Sequence, residues 1–291
     1  MPNASQRHGQ LLCLMGHAGT GKSAFAHQAP QPHAVLCIDK AVKTKLVDRD
    51  GIPFFPDIVP EHTYTKFYSP PAKDLTNDKE LPSRNVFDEI LRDIETLKVA
   101  LYKGGDTFSM GAEVWPLPKT VIIEGMDFVR DHCVNWTLHT QGKYNMDQFL
   151  TADGKPNRFL PWQLVASKMM EVFNNLAFLP GARPVNVVVT VGLDEETKSE
   201  KINGRVESHK TGMFDPGFGG KMSLEAPRQF GDCWLTEIGL DRKYKVVTAH
   251  DGKHDKFRGL RSGRFGLAAV EDVTLSKPFI NQWTRLFGGE K

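Results

Sequence analysis

The sequence predicts an α/β fold with a largely parallel central sheet flanked by helices, and three observations carry that prediction. Two short apolar runs, Leu11 to Met15 and Ala34 to Asp39, are joined by a glycine-rich turn and a short helical stretch. That is a strand, helix and strand within about 30 residues, the size of a unit whose strands run parallel. Two further runs, Thr120 to Ile123 and Val185 to Val191, are apolar throughout instead of alternating, the pattern of strands buried on both faces. Between these runs, apolar residues recur at three- and four-residue spacing, which is helical.

Taken in order, Leu11-Leu12-Cys13-Leu14-Met15 is the first strand, and Lys22 to Gln28 follows the turn as a short helix. Ala34-Val35-Leu36-Cys37-Ile38-Asp39 is the second strand and ends in an acid. Residues 48 to 82 are rich in Pro, Asp, Tyr and Phe without periodicity, so they read as a long surface excursion to which no regular structure is assigned. Ser83 stands where it would cap a long helix with apolar positions Phe87, Ile90, Leu91, Ile94, Leu97 and Leu101, closing at Gly104-Gly105. The third strand ends at Glu124, a Gly-, Asp-, Lys- and Asn-bearing segment runs from Gln141 to Phe159, and a helix covers about Trp162 to Phe178. After the fourth strand, the charged stretch Asp194 to Pro216 carries Asn203-Gly204, a strong hairpin signal. Strands at Cys233 to Ile238 and Tyr244 to His250 flank Leu240-Asp241-Arg242, and a short helix lies around Pro278 to Phe287. No internal repeat is visible, so residues 1–291 are expected to form a single domain with a C-terminal extension from about residue 260.

Composition narrows the class. An apolar fraction of 40% suits a sizeable core, and 37 Lys and Arg against 35 Asp and Glu leave a net charge of +2, which announces no polyanionic partner by itself. Cys13, Cys37, Cys133 and Cys233 are far apart, and Cys13 and Cys37 fall in strand-like apolar runs, so reduced buried thiols are expected. No C-x-x-C pair occurs, and His250 and His254 straddle Asp251-Gly252, a turn, so no metal-binding cluster of that kind is read. Met1 to Gln10 is polar and no apolar run approaches the ~18 residues of a membrane span, so the expectation is a soluble cytoplasmic protein with no membrane partner.

The chemistry lies in Gly16-His17-Ala18-Gly19-Thr20-Gly21-Lys22-Ser23, a complete G-x-x-x-x-G-K-[ST] loop between a strand and a helix. Glycines are needed because backbone N–H groups must close on phosphate oxygens, where a Cβ would obstruct. The helix opening at Lys22 adds its positive end, Lys22 reaches the β and γ phosphates, and the Ser23 hydroxyl is a Mg²⁺ ligand. The cofactors expected are therefore ATP and Mg²⁺. Glu124, at the end of an apolar strand, is the expected second Mg²⁺ group, with Asp127 as the alternative. Asp39 ends the strand that follows the loop's helix, at the same sheet edge, and is the candidate to orient an attacking water. His17 occupies a variable position of the loop and is given no chemical role.

With the loop, the acid-ended strand and the order of elements in hand, the chain resembles the RecA-like P-loop ATPases, most closely the small phage-encoded single-strand annealing or recombination ATPases. The resemblance covers roughly Leu11 to Arg258. It implies a RecA-like P-loop NTPase core, residence in the cytoplasm of a bacterial host, and two DNA-binding loops. Gln141 to Phe159, with Lys143, Lys155 and Arg158, corresponds to the first loop; Asp194 to Gly219, with Lys198, Lys201, Arg205 and Lys210, corresponds to the second. Gly219-Gly220-Lys221 and Phe230-Gly231-Asp232 follow as in the family. Lys256 and Arg258 resemble the family's pair of cations that reach the γ phosphate across a subunit interface, which implies a homo-oligomer, filament or ring, with shared active sites.

Two departures qualify the resemblance. Where RecA has a glutamate after the second strand, this chain has Asp39-Lys40-Ala41, so the base is Asp39, Glu124 or absent and hydrolysis is expected to be slow. At the end of the fourth strand the chain offers only Thr190 as a polar sensor. The function expected is an ATP-binding and ATP-hydrolysing, single-stranded-DNA-binding protein of phage-type recombination or replication. The alternatives are a helicase or helicase-loader ATPase acting on a protein partner, a small-molecule kinase, and an ATP-gated scaffold that binds DNA without turnover.

Overall fold

The computed structural model describes residues 9–39, 62–73, 76, 85–157, 159–202, 205–220, 222–262, 264, 266–274 and 281–287. In chain order the elements begin with β1 (Leu11–Met15), α1 (Lys22–Ala26), β2 (His33–Cys37), β3 (Tyr64–Phe67) and α2 (Val86–Lys103). They continue with β4 (Thr107–Met110), β5 (Glu113–Pro116), β6 (Thr120–Glu124), α3 (Met126–Thr140), α4 (Phe159–Ala182) and β7 (Asn186–Val191). The remainder are β8 (Leu193–Ile202), β9 (Arg205–Pro216), α5 (Met222–Glu225), β10 (Asp232–Ile238), β11 (Tyr244–Val247), β12 (Val270–Asp272) and α6 (Gln282–Phe287). The result is the expected α/β architecture, with a largely parallel central sheet and flanking helices.

The chain divides into two compact units, one of residues 1–11 and 29–189, the other of residues 12–28 and 190–291. In the first, the strands run β7-β6-β2-β3, all parallel. Register places Cys37 beside Glu124, so β2 and β6 end together. Every residue of β2 and β6 is buried, which is why these strands read as unbroken apolar runs. On α2, Phe87, Ile90, Ile94, Leu97 and Leu101 are buried as their spacing predicts. The helix starts with Asp88 and Glu89 and ends at Lys103 before Gly104, charges that complement its dipole. The Ser83 cap lies outside the described residues.

Three features of this unit depart from the expectations. The stretch left without structure contains β3, a parallel partner of β2, whose Lys66 ammonium binds Asp93 at 2.6 Å and Glu89 at 2.7 Å on α2. Tyr68, just beyond, donates to the same buried Asp93 at 2.5 Å. The helix α3 carries no apolar periodicity, because its buried face is partly polar: His132 Nε2 lies 2.9 Å from the Ser69 carbonyl and Asn135 donates to the Ala72 carbonyl at 3.0 Å. The β4–β5 hairpin is a further element beyond those expected; its Phe108 and Trp115 rings pack edge-on to Tyr64 at 5.7 and 5.6 Å.

In the second unit the strands run β12-β11-β10-β1, with β1 parallel to β10 and the outer pairs antiparallel. A separate two-stranded ribbon, β8–β9, extends from it, pairing Leu193 with Pro216 at its base and Ile202 with Arg205 at its end. The pairing of Ile202 with Arg205 agrees with a hairpin in this stretch, and Asn203-Gly204, which carries the turn signal, lies outside the described residues. The core is aromatic. Phe25 of α1 meets Trp234 at 6.2 Å and Trp283 at 5.9 Å, and Phe287 stacks on both tryptophans. Among the described residues no helix is long and apolar enough to cross a membrane.

Candidate functional site

β1 is buried from Leu12 to Met15 and delivers the chain into the loop Gly16–Ser23 at its C-terminal end. Gly16 is required by close approach: a Cβ there would lie 2.6 Å from the Thr236 carbonyl oxygen and 2.5 Å from its hydroxyl. Gly21, with φ of 90°, is required twice over, since a Cβ would also meet the Tyr244 ring at 2.9 Å. The loop is stitched to β10 through hydroxyls. Thr20 Oγ1 lies 2.7 Å from Thr236 Oγ1, and Thr236 donates to the Met15 carbonyl at 3.3 Å.

Lys22 curls back over the loop, its ammonium donating to the Gly16 carbonyl at 2.7 Å and the His17 carbonyl at 2.8 Å. An ammonium held above a ring of backbone groups, with glycines where side chains would intrude, fits a phosphate chain. Ser23 follows Lys22 on α1, which has only five residues, so the loop's own N–H groups supply more of the anion site than the helix dipole does. What holds so short a helix is packing: Phe25 sits in the aromatic core, and Gln28 accepts hydrogen bonds from Asn281 and from the Gln282 N–H. The C-terminal extension thus braces the helix that carries Lys22 and Ser23.

In the first unit, Glu124 is buried at the end of β6, and its carbonyl accepts from the N–H groups of Ile38 at 2.9 Å and Asp39 at 3.3 Å. Gly125 follows with φ of 88°, where a Cβ would meet that of Asp39 at 3.2 Å. The two acids expected at one sheet edge are therefore together, at the carboxyl end of parallel strands where ligands of α/β folds bind. Asp127 lies in the first turn of α3, half-buried.

The segment expected as the first loop is built, not slack. Asn145 and Gln148 cap a 3-10 turn at Met146–Gln148, Leu150 bridges to Pro156, and Phe149 packs on Leu138. Lys143 is half-buried, and Lys155 pairs with Asp153 at 2.8 Å while staying largely exposed. Arg158 lies outside the described residues. Tyr144 is exposed within this segment, and Phe159 and Trp162 are exposed at the start of α4.

On the ribbon, Lys198 is exposed and Lys210 pairs with Glu195 at 2.8 Å. The side chains of Lys201 and Arg205 lie outside the described set, their backbones pairing Val206 and Ile202. Arg258 is engaged within its own chain: it donates to Glu196 at 3.1 Å and faces Asp215 at 3.5 Å. That hydrogen bond holds the Glu196 carboxyl below the usual range, while burial pushes Asp215 up against the opposing pull of Arg258. Lys256 lies over the rings of Phe214 and Phe257, at 5.7 and 5.1 Å. Thr190 is buried at the end of β7, and the next residue's carbonyl accepts from the Gly16 N–H at 3.2 Å.

Thr236, Tyr244 and Phe214 went unnoticed in the sequence. Each looks like an ordinary strand residue, and only the pairing of β10 with β1 and the seating of β9 bring them to the loop. His17, read as a mere spacer, turns its ring edge-on to Phe214 at 5.4 Å.

A family model described as an AAA domain matches residues 8–225, taking in the phosphate loop, β6 with Glu124 and the β8–β9 ribbon, but not Thr236, Lys256 or Arg258. No curated protein matches the chain. Because the match spans well over half of the sequence and contains the loop whose geometry suits phosphate, the chain belongs to the AAA domain family, a family of nucleotide-binding P-loop ATPases.

Proposed function

We propose that the chain binds ATP with Mg²⁺ at Gly16–Ser23 and hydrolyses it in the service of single-stranded DNA, as an oligomer. The observation that carries the nucleotide part is the Lys22 ammonium resting on the Gly16 and His17 carbonyls, a cation already in the cradle that a phosphate would share. In this reading Lys22 leaves those carbonyls for the β and γ phosphates, and the loop's N–H groups hold the chain of oxygens. Ser23 and Glu124 are the groups assigned to Mg²⁺, which when bound would draw negative charge from the phosphate oxygens. Asp39 orients the attacking water, with Glu124 as the other acid at that edge.

Support for DNA comes from the outer half of the ribbon, where Lys198, Lys201, Arg205 and Lys210 outnumber Glu200 and Glu207. It also comes from the exposed Tyr144, Phe159 and Trp162, ring surfaces on which unstacked bases can lie. For Arg258 to reach a neighbouring protomer's phosphate it must give up Glu196 and Asp215, whereas Lys256, held only against rings by the contacts described, needs less rearrangement. One observation favours a second reading, a protein-directed ATPase: the base of the ribbon is acidic, with Asp194, Glu195, Glu196 and Asp215, which suits a basic protein better than a phosphate backbone.

The deciding experiment is steady-state ATP hydrolysis with Mg²⁺, with and without single-stranded DNA at low salt. Stimulation that fades as salt rises is expected. A rate indifferent to DNA selects the protein-directed reading, and DNA binding with no turnover selects a nucleotide-gated scaffold.

A further inference from the structure

The phosphate loop meets the β8–β9 ribbon at His17, a residue that does two things. The His17 carbonyl accepts from the Lys22 ammonium and from the Thr20 hydroxyl, both at 2.8 Å. Its ring stands edge-on to Phe214, at 5.4 Å and 89° between planes. Phe214 in turn stacks on Phe257 at 5.3 Å, donates its N–H to the Lys256 carbonyl at 2.8 Å and accepts from the Arg258 N–H at 2.8 Å. Around it Arg258 closes on Glu196 and Asp215, one from each strand of the ribbon's base. The seat of the ribbon and the seat of the Lys256–Arg258 segment are therefore the same residue.

We propose that Phe214 couples the phosphate loop to the β8–β9 ribbon, so that phosphate bound by Lys22 shifts how the ribbon is held. The argument rests on the reading of Gly16–Ser23 as a phosphate site. A phosphate competes with the His17 carbonyl for the Lys22 ammonium, so His17 has two states, lysine-held and lysine-released. Its ring contact with Phe214 differs between them, because an edge-to-face pair depends on the ring's position. A coupling exists when a ligand has different affinity for two states of an element, and here the element is the ribbon base in its two dockings. The same shift acts on Lys256 and Arg258, since their backbones are bonded to Phe214.

The test is hydrogen exchange of the amides in 193–202 and 205–216 on the full chain, without and with Mg²⁺ and a non-hydrolysable ATP analogue, alongside analogue affinity by titration. In the wild type the analogue is expected to change exchange at the ribbon base by at least about fivefold. Phe214→Leu is expected to keep near-normal analogue affinity yet lose that difference, and Phe214→Tyr, which keeps the ring, to retain it. A purely structural role for Phe214 would raise exchange equally with and without analogue and leave the difference intact, overturning the proposal. Analogue binding with no ribbon response in the wild type overturns the coupling alone. An absence of binding overturns the phosphate-site reading and the coupling with it.

Discussion

Cys13 and Cys233 stand opposite each other on β1 and β10, fully buried beneath the phosphate loop, and burial pushes the Cys13 thiol well above its ordinary range, the neighbouring thiol adding to the effect. Burial likewise pushes the Cys133 thiol up to about 12. Thiolates are the reactive form, so both groups stay protonated and inert at neutral pH. Alkylation of the native protein by iodoacetamide is expected to leave Cys13, Cys133 and Cys233 unmodified from pH 7 to pH 9, with full labelling in denaturant, read by mass spectrometry. Labelling of Cys13 in the native state would mean that β1 and β10 part, and with them the Thr20–Thr236 link that seats the loop. The residues legible at this scale are those whose role is local. Gly16 to Ser23 could be assigned because each contributes through its own backbone or its place in an eight-residue pattern. Thr236 and Phe214 act through partners more than 190 residues away, and a threonine or phenylalanine in a strand carries no mark of that.

β3 shows how an element can be anchored by charge instead of by an apolar pattern. Its Lys66 and the following Tyr68 converge on Asp93, a carboxylate on the buried side of α2. Burial and then the hydrogen bond to Asp93 push the Tyr68 phenol up. The folded state therefore holds that proton more tightly than the unfolded one, so its stabilising contribution is present below about pH 10 and is lost as pH rises beyond it. Asp93→Ala is expected to lower stability by about 2 kcal/mol, with urea unfolding as the measure, because Tyr68 loses its acceptor and Lys66 its most buried partner. An unchanged urea midpoint would show that β3 docks without this network. The strand and α3 escaped the sequence reading for related reasons: both are tied down by polar groups, Asp93, His132 and Asn135, at positions where periodicity looks for apolar ones. By contrast β2 and β6 lie where the apolar runs place them, and α2 follows its helical spacing almost residue for residue, Leu91 being the exception, half-buried while Asp93 takes the interior position.

At the scale of the whole molecule, the parallel order of strands could be read from apolar runs because burial on both faces erases alternation. The position of the C-terminal extension could not, since α6 is specified by stacking of Trp283 and Phe287 on each other and on Trp234. Through Phe25 and Gln28 that extension holds α1, so nucleotide bound at Lys22 and Ser23 should stabilise more than its loop. A ligand that binds only the folded chain at 100 times its dissociation constant adds about 2.7 kcal/mol, which for a chain of this size raises the melting temperature by roughly 5 °C. Scanning calorimetry of the wild type over a series of ATP concentrations with Mg²⁺ is expected to show that rise, growing with the logarithm of concentration. Lys22→Ala is expected to keep its fold without nucleotide, because the packing of Phe25 and the Gln28 hydrogen bonds that hold α1 do not pass through the lysine side chain. With nucleotide its melting temperature should barely move. A shift in Lys22→Ala equal to that of the wild type would show that nucleotide binds elsewhere, since Lys22 is the loop's one lysine or arginine.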